Sequence, residues 1–150
     1  MERVGIIEEY NIKVEEMDVN VSIRGDYGKA TTYFITLPKI SRATMALLDE
    51  VKKDLIAEIR ISIEELLDVR AIEKTKLKFK EKAEMLFKEK IKLEPKTKHI
   101  LLTLLMNEML GLGKIEFLIS DPSLEEIVIP RALEPIKVYH KHYGWLKTNI

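Results

Sequence analysis

Hydrophobic and polar residues alternate over much of the first forty residues. Alternation with a period of two is typical of strands that bury one face, and it is clearest over residues 11–23. A turn is expected at residues 24–28, because glycine tolerates positive φ and aspartate can bond its own backbone. The β-branched and aromatic run 31–37 predicts a second strand, which Pro38 ends. Residues 1–40 therefore predict an extended segment that can pair as a β-hairpin.

The following residues adopt the spacing of amphipathic helices. Ser41 is expected to be the N-cap of a first helix. Ser62 and Glu65 have the spacing of a capping box, which would restart a helix at Ile63. The Lys-rich run 74–92 continues as helix with an apolar minority. The first helix carries one apolar stripe, formed by Met45, Leu48, Val51, Leu55 and Ile59.

A further helix is predicted before a pair of glycines. Pro95 suits its first turn, and residues 100–106 are apolar almost all round, which is typical of a buried helix. Gly111 or Gly113 would end it, because glycine accepts the left-handed C-cap conformation. Residues 41–113 therefore predict a helical subdomain. Four of its side chains are expected to be buried: Leu101, Leu104, Leu105 and Met109.

Residues 114–150 return to strand-like patterns. Asp121 can cap a helix and Pro122 has a pre-set φ, so the pair indicates a turn or a helix start. Short strands are expected over residues 126–129 and 136–140, where apolar residues recur. This region therefore predicts the beginning of a small sheet domain.

The chain stops inside a third C-terminal strand. This strand follows a turn at residues 141–144, begins at Trp145 and reaches Ile150 with no turn or cap. We therefore expect a truncated antiparallel sheet, with unpaired backbone groups along its edge that favour weak self-association. The predicted fold class is α+β, with an N-terminal β-hairpin, a helical bundle and this truncated C-terminal sheet.

Composition excludes several classes of protein. The 150 residues include 25 basic and 25 acidic side chains and no Cys. Zero formal charge argues against a strongly basic nucleic-acid binder. The absence of Cys excludes a disulfide scaffold, a thiol nucleophile, a zinc ribbon and an iron–sulfur cluster. No apolar run approaches the ~20 residues that a membrane span needs, and no signal peptide is expected.

The charges are segregated along the chain. Residues 1–26 hold seven acids against three bases, and residues 74–98 hold ten Lys against four acids. Such blocks indicate a solvated helix face, pairing within the chain, or surfaces for partners. The lysines of this basic helix spread around its circumference, whereas nucleic acid prefers charges clustered on one side. An acidic protein surface is therefore the better-suited partner. The candidate partner-binding residues are Lys74, Lys78, Lys82 and Lys90.

No catalytic constellation is evident. A phosphate loop needs Gly, four residues and then Gly-Lys-Ser/Thr, but Lys114 follows Gly113 and is itself followed by Ile115. His140 and His142 could share a face, yet two ligands without a third make a poor metal site. We therefore expect no catalytic residue, metal or cofactor within these 150 residues.

Two segments resemble the type II/IV secretion ATPase superfamily. Residues 109–127, MLGLGKIEFLISDPSLEEI, are similar to its pattern G-x-G-x-[IL]-x-x-[LF]-[LI]-x-D-P-x-[IL]-E-[DE]-I. Residues 138–150, VYHKHYGWLKTNI, resemble the V-Y-H-R-K-Y-G-W-L-x-T-N-I stretch of its archaeal branch. That branch contains the ATPases of secretion systems, type IV pili and archaella. Residues 30–60 resemble the opening of these proteins more loosely.

The resemblance implies an N-terminal regulatory and assembly region of a hexameric ATPase. In the family, this region precedes a RecA-like motor domain, which would bind ATP and Mg²⁺. The implied partners are other subunits of the same hexamer and a membrane platform protein of the protein-transport machine. The implied location is cytoplasmic, peripheral to the inner face of the cell membrane.

Basic residues of the family's N-terminal region can close over nucleotide phosphates, and the resemblance assigns this role to Lys141 and Arg131. Lys141 stands where the pattern has Arg, so the bidentate geometry of a guanidinium is lost. Residues 129–135 replace the family's Asn-Gly-Pro turn. The alternative function is a free-standing adaptor, whose Lys-rich helix binds an acidic protein partner or nucleic acid.

Overall fold

The computed structural model shows an α+β protein, as the sequence predicts, in two compact units. The sheet unit comprises Met1–Pro38 and Lys114–Ile150, and the helical unit comprises Lys39–Gly113. Residues 1–38 of the predicted segment 1–40 thus share one unit with the predicted segment 114–150. The structure describes residues 5–15, 17–26, 29–60, 68–90, 92–131 and 133–150.

The described residues form ten helices and strands, most of them where the sequence patterns predict them. In chain order they are β1 Gly5–Val14, β2 Met17–Asp26, β3 Lys29–Thr36, α1 Arg42–Glu58, α2 Val69–Lys90, α3 Pro95–Leu110, α4 Ile115–Ile119, β4 Leu124–Val128, β5 Lys137–His140 and β6 Gly144–Thr148. The strands make one six-stranded sheet in the order β1-β2-β3-β6-β5-β4.

The N-terminal strands form a three-stranded antiparallel meander in place of a single hairpin. The buried apolar side chains of β1 have even numbers, whereas those of β2 have odd numbers from Met17 onward. The change of parity after Val14 marks the turn that divides the predicted strand 11–23 in two. A period of two survives on each side of such a turn, so the alternation alone suggested one strand.

The two ends of the sheet unit meet where β3 pairs in parallel with β6. Next to this pair, the Asn149 side chain makes the two hydrogen bonds that a neighbouring strand's backbone would make to Ile35. Its Oδ1 accepts a hydrogen bond from the Ile35 backbone N–H at 2.8 Å, and its Nδ2 donates to the Ile35 carbonyl at 2.9 Å. The expectation of an open edge after Trp145 is wrong, because β6 has β3 on one side and β5 on the other.

One face of the sheet is the core of the sheet unit. Alternation along the strands places the buried apolar residues of β1, β2, β3, β5 and β6 on this face, where α4 adds Phe117 and Leu118. The buried apolar side chains of the unit are Ile12, Val14, Met17, Val19, Val21, Ile23, Tyr33, Ile35, Phe117, Leu118, Ile136, Val138 and Leu146.

The helical unit follows its local signals. The Ser41 side chain accepts a hydrogen bond from the Thr44 backbone N–H at 3.1 Å, as its prediction as an N-cap requires. Pro95 opens α3, and Gly111 follows its last residue. The capping box at Ser62 and the restart at residue 63 lie outside the described residues.

The helical unit has its own apolar core, built by one stripe from each of its three described helices. Leu101 and Leu105 of α3 are fully buried as expected, whereas Leu104 and Met109 are only half-buried. The core residues are Leu48, Val51, Leu55, Phe79, Ala83, Leu86, Phe87, Leu101, Leu102 and Leu105. In the part of the chain that the structure describes, no helix has the length and apolarity to cross a membrane.

Replacing Leu105 by Ala should destabilise the helical unit. Leu105 has no exposed surface, so we expect Leu105→Ala to lower its free energy of unfolding by about 2–5 kcal/mol. The measurement is urea denaturation followed by ellipticity at the helical band. The control is Leu77→Ala, whose leucine is 58% exposed, with a change within about 0.5 kcal/mol. Equal effects of the two substitutions would contradict the placement of α3 in the core.

Candidate functional site

A cluster of polar side chains lies on the core face of the sheet. We call it the Asp121 cluster; it contains Tyr10 of β1, Tyr33 of β3, Asp121 after α4 and His140 at the end of β5. Asp121 is 2% exposed and His140 is 1% exposed. Buried polar groups of this kind are costly unless each one finds hydrogen-bond partners.

Hydrogen-bond donors surround the Asp121 carboxylate. The hydroxyls of Tyr10 and Tyr33 both donate to Oδ2, each at 2.7 Å. The backbone N–H of Ser123 donates to Oδ1 at 2.8 Å. Every one of these partners donates, as an ionised carboxylate requires, and bonds to a charged acceptor are about twice as strong as neutral ones. The carboxylate therefore joins β1, β3 and the loop after α4.

The two tyrosines hold their protons tightly. Burial, and then the hydrogen bond to Asp121, raise the pKa of Tyr33 far above its ordinary value. The same causes raise the pKa of Tyr10. Both hydroxyls therefore stay protonated and remain donors to Asp121 throughout the physiological range, so neither is a candidate for a general base.

Hydrogen bonds fix the tautomer of His140. Its Nδ1 accepts from the His142 backbone N–H at 3.2 Å, so Nδ1 carries no proton. Its Nε2 lies 3.3 Å from the Tyr10 hydroxyl oxygen. Because the Tyr10 proton is given to Asp121, we assign the imidazole proton to Nε2, which donates to Tyr10. The chain of donors thus runs from His140 through Tyr10 to Asp121.

Burial lowers the pKa of His140 and keeps its imidazole neutral. The negative charges of Asp121 and Glu8 oppose this shift, whereas the positive ends of His142 and Lys141 add to it. A second proton would have to enter at Nδ1, where the His142 N–H already points. Protonation would therefore remove the hydrogen bond that the His142 N–H donates within the turn that joins β5 to β6.

The β5–β6 turn holds one of the two residues predicted to contact nucleotide. Lys141 donates its backbone N–H to the Ser123 carbonyl at 3.0 Å and its Nζ to the Pro122 carbonyl at 2.5 Å. Gly144 closes the turn with a φ of +68°, which favours glycine. Arg131 is exposed in the separate β4–β5 loop. The Lys141 ammonium thus holds the loop that follows Asp121.

The four predicted partner-binding lysines all lie on α2, but two of them pair within the helical unit. Lys82 Nζ lies 2.5 Å from Glu58 of α1. Lys90 Nζ lies 2.6 Å from Glu50 and 2.9 Å from Asp54, also on α1. Lys74 and Lys78 stand on the same helix with exposed side chains. Pairing within the chain, one of the three interpretations of the charge blocks, therefore applies to Lys82 and Lys90.

The Asp121 cluster is a closed arrangement. Both ring nitrogens of His140 are engaged, and the oxygens of Asp121 already accept three hydrogen bonds. Among the described residues, no three His, Cys, Asp or Glu side chains converge as metal ligands would. The cluster can position strands and the β5–β6 turn, and it offers no free group for chemistry on a substrate.

Sequence patterns revealed these residues only in part. Asp121 was interpreted as a cap or turn residue, and His140 as half of a poor metal pair. Tyr10 and Tyr33 carried no signal beyond the alternation of their strands. Their contacts with Asp121 span 111 and 88 positions of the chain, so only the pairing of β3 with β6 brings them together.

Asp121→Asn should destabilise the sheet unit. The substitution removes the charge that strengthens three hydrogen bonds, so we expect a loss of about 2–3 kcal/mol in its free energy of unfolding. Trp145 is the only Trp of the chain, and its fluorescence during urea denaturation reports this unit. The control is Glu125→Gln on the exposed part of β4, with a change within about 0.5 kcal/mol. A loss no larger than that of the control would refute the structural role of the cluster.

Neutral His140 should make the sheet unit less stable in mild acid. Its folded pKa lies below the unfolded value of about 6.5, so the unfolded chain binds the proton more readily. The stabilisation is complete above about pH 7, declines as the pH falls below about 6.5, and is fully lost once the pH has fallen through the lower pKa of the folded state. We expect wild type and His142→Gln to lose stability between about pH 7.5 and pH 5.5, and His140→Gln to lose less. An unchanged pH dependence in His140→Gln would contradict the assignment.

Comparison with known proteins gives one informative match. No family model matches the chain. The chain is 32% identical over 122 residues to MJ1288, an uncharacterized protein of Methanocaldococcus jannaschii. The match covers 81% of this chain and 47% of that protein, so the chain spans about half the length of the curated relative it matches.

Proposed function

We propose that this chain is the N-terminal regulatory and assembly region of a hexameric secretion-type ATPase, which powers protein secretion or the assembly of a pilus or archaellum. The observation that carries the proposal is the resemblance of residues 109–127 and 138–150 to that superfamily. In the structure, these two segments supply Asp121, His140 and the β5–β6 hairpin of the sheet unit. The resemblance therefore falls on residues that build one connected arrangement.

Physical roles of the matching residues support the proposal. Asp121 accepts the tyrosine hydroxyls, Gly144 adopts positive φ in the turn, and Asn149 bonds the Ile35 backbone. Each of these residue types is difficult to replace at its position. Asp121 supplies a charged acceptor, Gly144 supplies a left-handed backbone, and Asn149 supplies a planar amide that both accepts and donates. A sequence pattern that retains them is what such a sheet unit would need.

The curated relative bears on the proposal only through its source. MJ1288 comes from an archaeon, and the segment 138–150 resembles the archaeal branch of the superfamily. The relative is itself uncharacterized. The hexamer, the membrane platform protein and the cytoplasmic position at the inner face of the membrane are therefore parts of the proposal that rest on the resemblance.

In this proposal, ATP and Mg²⁺ are handled by a motor domain, and the present chain supplies assembly and regulation. Lys141 would have to leave the Pro122 carbonyl before its ammonium reached a phosphate. The ion pairs of Lys82 and Lys90 with α1 favour this assignment over the adaptor alternative, because they occupy half of the lysines offered to a partner.

The reading frame downstream of codon 150 tests the proposal directly. Sequencing the transcript in that direction should reveal a Gly-x4-Gly-Lys-Ser/Thr loop within roughly a hundred codons. A frame that continues without such a loop, or that closes at once, would contradict the proposal and leave the adaptor alternative.

The 150-residue chain by itself should not turn over ATP. Its sequence has no Gly-x4-Gly-Lys-Ser/Thr loop, so phosphate release with ATP and Mg²⁺ should equal the buffer background. The control is Lys141→Ala, which should give the same background rate. Turnover that survives repeated purification and is lost in Lys141→Ala would show a nucleotide site that the proposal lacks.

A further inference from the structure

The sheet has a second face, opposite the Asp121 cluster, with a different chemistry. In β5 and β6, the residues Val138, His140, Leu146 and Thr148 point into the core, so their neighbours point the other way. We call this second surface the aromatic face. Its members are Arg24, Phe34, Lys137, Tyr139, Trp145 and Lys147.

Strand register brings the members of the aromatic face side by side. Tyr139 stands opposite Trp145, and Lys137 stands opposite Lys147. The rings of Tyr139 and Trp145 meet edge to face, with centroids 5.3 Å apart and planes at 77°. Lys137 and Lys147 lie two residues further along their strands, so the lysine pair is about 7 Å from the aromatic pair on the same face. Trp145 is 52% exposed, which leaves much of its indole open to solvent.

A second aromatic and cationic pair extends the face across β3 and β2. Lys147 lies beside Thr32 of β3, and Arg24 of β2 lies on the other side of Thr32. The Arg24 guanidinium carbon stands 3.7 Å from the centroid of the Phe34 ring. Aromatic rings and cations therefore continue over four neighbouring strands.

The local charge of the aromatic face differs from that of the whole chain. Strands β3, β5 and β6 contain no Asp or Glu, although the chain as a whole has equal numbers of acids and bases. Two carboxylates stand at its rim: Glu126 of β4 lies opposite Tyr139, and Asp26 follows Arg24 by two residues in β2. The zero net charge that argued against a nucleic-acid binder thus conceals a cationic surface.

We propose that the aromatic face binds single-stranded nucleic acid. Bases stack on the Trp145 and Tyr139 rings, while the ammonium groups of Lys137 and Lys147 neutralise the phosphates at one end of this aromatic pair. Exposed aromatic residues on a sheet are a known platform for unstacked bases, and every base offers a π-face. An acidic peptide would satisfy the lysines, but it would leave the exposed indole without a planar partner.

This proposal does not depend on the proposed ATPase role, and Trp145 allows a direct test. The fluorescence of this sole Trp is followed while an oligothymidylate of about ten nucleotides is added. We expect saturable quenching, because the stacked base contacts the indole itself. With three cations on the face, the logarithm of the affinity should fall with the logarithm of salt concentration with a slope of about −2.

Paired variants separate the aromatic face from the Lys-rich helix. Lys137→Gln with Lys147→Gln should weaken binding about tenfold and reduce the salt slope to about −0.7. The matched control is Lys80→Gln with Lys88→Gln on the exposed part of α2, which should leave the affinity unchanged. Trp145→Leu, measured by anisotropy of a labelled oligonucleotide, should lose about tenfold or more. Urea midpoints from circular dichroism show that each variant is folded.

Three results would overturn the proposal. The first is the absence of quenching at an oligonucleotide concentration of about a millimolar, above the range of ordinary non-specific binding. The second is an equal loss of affinity in the α2 control, which would place the contact on the helix. The third is quenching by an acidic peptide but not by the oligonucleotide, which would assign the face to a protein partner.

Discussion

The Asp121 carboxylate is the constraint on which the sheet unit depends. A buried charge costs several kcal/mol unless hydrogen bonds compensate it, and here the compensation comes from distant parts of the chain. Tyr10 and Tyr33 approach from the first strands, and the Ser123 N–H approaches from the loop that follows. The carboxylate can therefore be buried only when both ends of the chain have folded together. His140 extends this dependence to the β5–β6 turn through Tyr10.

The sheet topology follows from the same closure. With β3 held over Asp121, β6 lies beside it in parallel, and the Asn149 amide prolongs the pairing by one residue. β6 is consequently an interior strand with a neighbour on each side. One face of the sheet packs in the core, and the other face bears Trp145 and its cationic neighbours. One buried carboxylate thus positions both the core and the surface that we propose for binding.

The parts of the fold that local interactions determine could be predicted from the sequence. Ser41, Pro95 and Gly111 act within one turn of their helices, and the alternating strands follow from side-chain periodicity. The pairing of β3 with β6 and the convergence on Asp121 join residues about a hundred positions apart. No local pattern encodes such pairings. The ion pairs of Lys82 and Lys90 were hidden for the same reason, because their partners lie on another helix.

Hydrogen exchange of the Asp121→Asn variant tests the central claim most directly. If the carboxylate holds both ends of the chain in one unit, peptides from residues 5–36 and from residues 137–150 should lose amide protection together. The exchange of wild type, measured under the same conditions by mass spectrometry, is the reference. Faster exchange confined to the loop around residues 118–124, with the N-terminal meander unchanged, would contradict the account and reduce Asp121 to a local turn residue.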